Sequence, residues 1–182
     1  MDDAGAEDAG LDDADADDAG LDDAAIDRFW TVASRRARIG SLPGYFGPGT
    51  LEVVTPPAWS FGTDPGQADR LLALVLDGTK TATASAQEDY LDGEPLPEAG
   101  AMGILLDGRG RPRALVSVTA VTVLPFDEVD EEHARAEGEG DRTLASWRDD
   151  HEAFFRAHDP RDRGFRPDMP VVLERFEVLY QA

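Results

Sequence analysis

Cysteine is absent from this 182-residue chain, and histidine is scarce. Without cysteine the chain forms neither disulfide bonds nor thiolate metal sites, and three histidines (His133, His151 and His158) offer little material for a zinc site. No apolar run reaches the length of a membrane span, and the acidic N-terminus lacks the basic and apolar segments of a secretory signal. We therefore expect a cytoplasmic protein with no membrane association and no resident metal or other cofactor.

Basic residues are also few, since 17 Lys or Arg accompany 38 Asp or Glu and the formal net charge is −21. Residues 1–25 hold 11 Asp or Glu and no Lys or Arg, in a repeat built from Asp, Ala, Gly and Leu. Such a segment buries too little apolar surface to offset its chain entropy, so we predict a disordered acidic tail. The remaining net charge of −10, on residues 26–182, argues against a broad, nonspecific nucleic-acid surface. It does not exclude a pocket that binds one nucleoside.

Hydrophobic periodicity predicts an α+β fold. Apolar residues recur at helical spacing over 26–37, 64–78, 127–137 and 143–158, and strand-like patterns cover 81–85, 101–106, 115–123 and 170–180. This order of elements is not a repeating βαβ pattern, so we expect a small mixed or antiparallel sheet. Residues 26–58 would form an N-terminal helix and an irregular connection, with a short strand at 51–54, and residues 59–182 the main domain.

Lysine is the scarcest of the charged residues, because Lys80 alone accompanies 16 arginines. A lysine amine can act as a base, a nucleophile or a compact charge, whereas arginine stays protonated in proteins. Lys80 lies between a predicted helix ending at Gly78 and a predicted strand, where side chains can project into a cleft. The surrounding residues lack the earlier glycine of a phosphate-binding P-loop. A leftover surface lysine is the alternative interpretation.

The pattern Gly78-x-Lys80-x-x-Thr83 resembles the signature of the ASCH domain family. The similarity continues through "WSFG" at 59–62 and through 68–85, 93–100, 125–155 and 170–180, and it resembles the larger bacterial members. The family implies a PUA-like fold, which is a small, mostly antiparallel β-barrel with flanking helices. It also implies RNA or a modified nucleoside as the partner.

The resemblance also implies a set of site residues. Related bacterial proteins include an amidohydrolase that deacetylates N4-acetylcytidine, in which a Lys, a Thr and a Glu are catalytic, and a metal-assisted ribonuclease. The matching residues are Lys80, Thr83 and Glu137, the last of which ends the "HARAE" segment. Gly78, Trp59 and Tyr90 are the predicted ligand-binding residues: Gly78 completes the signature, and Trp59 and Tyr90 are candidates to stack on a nucleobase. Solvated charge for Glu137, strand formation for Thr83 and core packing for Trp59 are the alternatives.

The chemistry of the three implied residues leaves the role of Lys80 open. Thr83 would attack the acyl carbon once a base takes its proton, and Lys80 could be that base if burial lowered its pKa. An ionised Glu137 would instead raise the pKa of Lys80, and a protonated Lys80 would stabilise the developing oxyanion. Two other functions remain as alternatives: a non-catalytic RNA-binding module in which Lys80 contacts a phosphate, and a ribonuclease that needs a divalent metal.

Overall fold

One mixed sheet supports the helices of this chain. The computed structural model describes residues 22–39, 54–90, 94–158 and 164–182. The strands within these ranges are β1 (Ala58–Trp59), β2 (Ala82–Ala86), β3 (Met102–Leu106), β4 (Pro112–Pro125) and β5 (Pro170–Gln181). The helices are α1 (Asp23–Arg36), α2 (Pro65–Leu76), α3 (Glu131–Glu137) and α4 (Leu144–Ala157).

The five strands lie in the order β1-β3-β4-β5-β2. The pair β1–β3 is parallel, and the other three pairs are antiparallel. The expectation of an α+β fold with a mixed sheet and flanking helices is therefore confirmed. Among the described residues the hydrogen bonding follows this open order, so the closed PUA-like barrel stays a prediction.

Side-chain caps set where the helices begin. The Asp22 carboxylate accepts a hydrogen bond from the backbone of Ala25, so residues 23–25, which composition assigned to the acidic tail, form the first turn of α1. Asp130 caps α3 through the backbone of His133, so this helix starts at residue 131 and not at 127. Residues 126–128 form a single 3₁₀ turn. The predicted tail up to residue 21, and the predicted strand at 51–54 except Val54, lie outside the described residues.

Within the described residues, three apolar clusters hold the helices to the sheet. Helix α1 buries Ile26, Phe29, Trp30 and Ala33 against Ile104 and Leu115 of the sheet. Helix α2 packs on a second cluster that includes Phe61 and Phe176, and α3 and α4 pack on a third around Phe126 and Trp147. No helix in the described ranges is long and apolar enough to cross a membrane.

Candidate active site

The backbone around Lys80 is tied to two helices. Past the end of α2, Gly78 takes a left-handed conformation with φ +80°. The Lys80 amide then donates to the Leu74 carbonyl at 2.9 Å, and the Thr81 amide donates to the Ala136 carbonyl at 2.7 Å. These bonds fix the junction between α2 and α3, and the Lys80 side chain points inward with 1% of its surface exposed.

The Lys80 ammonium lies between two carboxylates. Its Nζ atom is 3.0 Å from Oε2 of Glu137 and 2.5 Å from Oε1 of Glu139, and it lies 5.2 Å from the centroid of the Phe61 ring. Burial would lower the pKa of Lys80, but the charges of Glu137 and Glu139 outweigh it and raise that pKa above its ordinary value. The side chain is therefore an ammonium ion at neutral pH.

Glu137 is the most heavily hydrogen-bonded group of the site. Its Oε1 atom accepts from the Trp147 indole at 2.8 Å and lies 3.1 Å from Nε2 of His133 and 3.4 Å from Nε2 of His151. Burial opposes ionisation of this carboxyl, yet Lys80 and the two histidines hold its pKa well below the usual range. Glu137 is thus a buried carboxylate on α3, and its contacts connect that helix to α4 and to Lys80.

A cavity opens beside these charges, at the edge of β2. It has a volume of about 130 Å³ and is partly open to solvent, so it is smaller than the common range for small-molecule sites of about 300–1,000 Å³. Thr83, paired with Glu174 of the neighbouring strand, lies in its wall. The other lining residues come from β2, from the α2 region, from the end of α3 and from α4: Ala84, Phe61, Gly62, Gln67, Leu71, Glu137, Glu139, Asp150, His151 and Phe154.

The six residues singled out from the sequence fall into two groups. Thr83 and Glu137 line the cavity, and Lys80 contacts Glu137 directly behind its wall. Gly78, Trp59 and Tyr90 are not among the described lining residues. Gly78 ends α2, and Trp59, 38% exposed, packs edge-on against Phe61 with the ring centroids 4.6 Å apart.

Tyr90 lies further along the edge of the sheet. Its hydroxyl is 3.1 Å from the Ser85 hydroxyl, two residues beyond Thr83 on the same strand, and burial raises its pKa. Tyr90 thus contacts the strand that carries Thr83 through Ser85.

Sequence reasoning missed four residues of this site. His133 precedes Glu137 by one helical turn, so the spacing alone could have paired them. His151 stacks on Trp147 at 4.1 Å and also faces Glu137. Trp147 and His151 both belong to α4, a different helix from the one that carries Glu137. Glu139 carried no signal beyond its place in an acidic segment. No group of three or more described His, Asp or Glu side chains is arranged to hold a metal ion.

The fold and the site together define a class of protein: an α+β domain whose mixed sheet carries a small cavity backed by a buried lysine–carboxylate cluster. The family model described as the ASCH domain matches residues 57–180. The chain therefore belongs to the ASCH domain family, and the resemblance noted from the Gly78-x-Lys80-x-x-Thr83 pattern is confirmed.

Two crystal structures are similar to this chain. Protein EF3133 from Enterococcus faecalis V583 is 34% identical with a TM-score of 0.72, and the match covers 85% of this chain and 88% of that one. An ASCH domain from Lactobacillus crispatus JV V101 is 32% identical with a TM-score of 0.67, and the match covers 81% and 96% of the two chains. A comparison with curated proteins finds no match.

Proposed function

We propose that this cavity is the active site of a hydrolase that cleaves the amide bond of an N-acylated nucleoside of the N4-acetylcytidine type. The observation that carries the proposal is the buried ammonium of Lys80, held by Glu137 and Glu139 directly behind the cavity that Thr83 lines. Removing charges from water is costly even when they are paired. Buried ionic clusters beside a cleft are for this reason candidates for catalytic work.

The geometry favours one of the two roles considered for Lys80. A base must give up its proton readily, and both carboxylates oppose that loss by raising the pKa of Lys80. An ammonium has three N–H donors, and two of them meet Glu137 and Glu139. The third can donate to the carbonyl oxygen of an amide as that oxygen gains negative charge. Lys80 would thus stabilise the oxyanion while the Thr83 hydroxyl attacks.

The lining of the cavity suits a single base better than a polynucleotide. Phe61, Phe154 and His151 bring aromatic rings to its wall, and Gln67 and Asp150 bring hydrogen-bonding groups, as recognition of a single base requires. Asp150 and Glu139 also make the entrance acidic, which repels phosphates. A neutral nucleoside is the substrate class that meets both conditions.

The RNA-binding alternative fits the geometry less well. Binding of a phosphate backbone relies on cations that neutralise phosphate charge and displace its counter-ions. The charge of Lys80 is already paired with the carboxylates of Glu137 and Glu139, so Lys80 offers no unpaired cation for that purpose. The ribonuclease alternative has no structural observation in its favour.

The test compares the wild-type chain with Lys80→Arg. Each is incubated with N4-acetylcytidine and with a short RNA, and release of acetate, release of cytidine and strand breaks are followed. We expect the wild type to release acetate and cytidine in equal amounts. We expect Lys80→Arg to lose about 10²–10³-fold in kcat, the usual cost of removing an oxyanion donor. Arg135→Lys, the reverse exchange at an exposed position of α3, is the control that should keep full activity.

Two results would contradict the proposal. Binding of RNA without turnover, retained in Lys80→Arg, would identify a binding module. Strand breaks that require added divalent metal would identify a ribonuclease.

A further inference from the structure

The two carboxylates that hold Lys80 differ in their surroundings. Glu137 is 1% exposed, and both of its oxygens are engaged, Oε2 by Lys80 and Oε1 by groups that include the Trp147 indole. The side chain of Glu139 is 29% exposed and lines the cavity, and its Oε1 atom contacts Lys80. Among the described residues, its second oxygen has no hydrogen-bonding partner. Of the two carboxylates that hold Lys80, only Glu139 therefore has an oxygen that lacks a partner among the described residues, and Glu139 lines the same cavity as Thr83.

The backbone around Glu139 fixes its position. Gly138 and Gly140 on either side both have positive φ, +74° and +54°. A Cβ atom at 138 would lie 2.7 Å from the Thr79 carbonyl oxygen, and one at 140 would lie 2.7 Å from the Ser146 hydroxyl. The Glu139 carbonyl also accepts from the backbone of Arg142 at 2.9 Å. This tight turn keeps the Glu139 side chain beside Lys80 without burying it.

We propose that Glu139 transfers protons in this site and that Glu137 positions the Lys80 ammonium through their ion pair. The proposal rests on the hydrolase function proposed above. It assigns separate tasks to two acids that lie only two positions apart in the chain.

The proposed reaction passes through an ester of Thr83. Glu139 takes the proton of the Thr83 hydroxyl as the Thr83 oxygen bonds to the acyl carbon, and the carbonyl oxygen becomes an anion beside Lys80. The C–N bond then breaks, and Glu139 returns the proton to the departing nitrogen of the base. Water attacks the Thr83 ester and gives its proton to Glu139, which passes it to the Thr83 oxygen as the acid leaves. One water is consumed, and the enzyme groups end as they began.

The first test replaces Glu139 with Gln, which keeps the shape and a hydrogen-bond acceptor for Lys80. We expect kcat for N4-acetylcytidine to fall about 10²–10⁴-fold, the usual contribution of general acid–base catalysis, with little change in KM. Glu139→Asp keeps a carboxylate and should retain more of kcat than Glu139→Gln. Glu98→Gln, at an exposed position away from the cavity, should match the wild type. Thermal unfolding of each variant checks that the fold is kept.

The second test separates proton transfer from simple charge balance. Small carboxylates can reach the partly exposed position left by Glu139→Ala, so formate and acetate should each restore part of kcat, measured as cytidine release. We expect acetate, the stronger base, to restore more than formate, because proton transfer rates follow base strength. Replacement of charge alone would give equal restoration.

Three outcomes would overturn the assignment. Wild-type kcat in Glu139→Gln, or restoration that is independent of base strength, would remove Glu139 from proton transfer while leaving the hydrolase function in place. A wild-type chain that releases no cytidine would instead overturn the proposed function, and the role of Glu139 with it.

Discussion

Lys80 and Glu137 move each other's pKa in opposite directions, and the two shifts act on stability at opposite ends of the pH scale. The pKa of Lys80 is raised on folding, so its contribution is complete below the unfolded value of about 10.4 and is lost as the pH rises through the folded value. The pKa of Glu137 is lowered, so its contribution is complete above about 4.3 and is lost as the pH falls through its folded value. The pair is thus fully effective across the neutral range.

Glu137→Gln tests this linkage on the acid side. At pH 7 we expect the variant to lose about 3–5 kcal/mol in the free energy of unfolding, the usual cost of removing one partner of a buried ion pair. That loss should shrink as the pH falls below about 4, because the carboxyl of Glu137 then binds a proton in the unfolded wild type and not yet in the folded one, which favours unfolding. Urea denaturation from pH 3 to pH 8 measures both values. Glu98→Gln should follow the wild type throughout, and a loss that stays constant with pH would contradict the linkage.

For individual residues, the sequence indicated which side chains form the candidate site better than it indicated their protonation states. Lys80 stood out by its rarity and its place in the family pattern, and Glu137 by that pattern alone. Trp147 and His151 come from α4, 10 and 14 residues beyond Glu137 in the chain, and only the packing of α4 on α3 brings them together. The charge of Lys80 depends on whether burial or its carboxylates dominate, and the second carboxylate, Glu139, could not be identified from its spacing.

Among the elements, the turn after α3 matters most to the site. Gly138 has φ +74°, and a side chain there would press on the backbone of Thr79, next to Lys80. Gly110 has a similar φ of +72° but open space around it, and it lies in the turn between β3 and β4. The two glycines therefore form a matched pair in which only one meets a clash.

We expect Gly110→Ala to cost about 1 kcal/mol, the penalty of a positive φ for alanine, and Gly138→Ala to cost at least about 2 kcal/mol, because the clash adds to it. Gly138→Ala should also lower activity by displacing Glu139, whereas Gly110→Ala should not. Urea denaturation and N4-acetylcytidine turnover measure the two effects. Equal losses of stability would show that the contact with Thr79 relaxes without strain.

The strands show which parts of an element a pattern can reveal. Strict alternation over 115–123 identified the centre of β4, but the strand extends over 112–125 because β5 pairs with it along nearly its whole length. Strand β1 was missed, since it has two residues and exists only through its parallel pairing with Ile104 and Leu105. Local patterns thus predict strand centres, and the ends depend on partners that are distant in the chain.

For the whole molecule, helix α1 is part of the core although it precedes the matched family segment 57–180. Its Trp30 ring is buried in the cluster with Ile104 and Leu115, whereas Val32 on the same helix is 46% exposed. We expect Trp30→Ala to cost about 3–5 kcal/mol in the free energy of unfolding and Val32→Ala less than about 0.5 kcal/mol. Urea denaturation measures both, and similar values would mean that α1 is detached from the core in solution.

The lone lysine also gives the chain a single cleavage point for a lysine-specific endoprotease, the Lys80–Thr81 peptide bond. The Lys80 and Thr81 amides are hydrogen-bonded to the carbonyls of Leu74 and Ala136. This segment must therefore unfold locally before a protease can bind it in an extended conformation. The rate of this one cut therefore reports how often the site opens. A molecule that binds the closed site slows the cut in proportion to its occupancy, so ligands can be found by digestion and gel electrophoresis before any reaction is known.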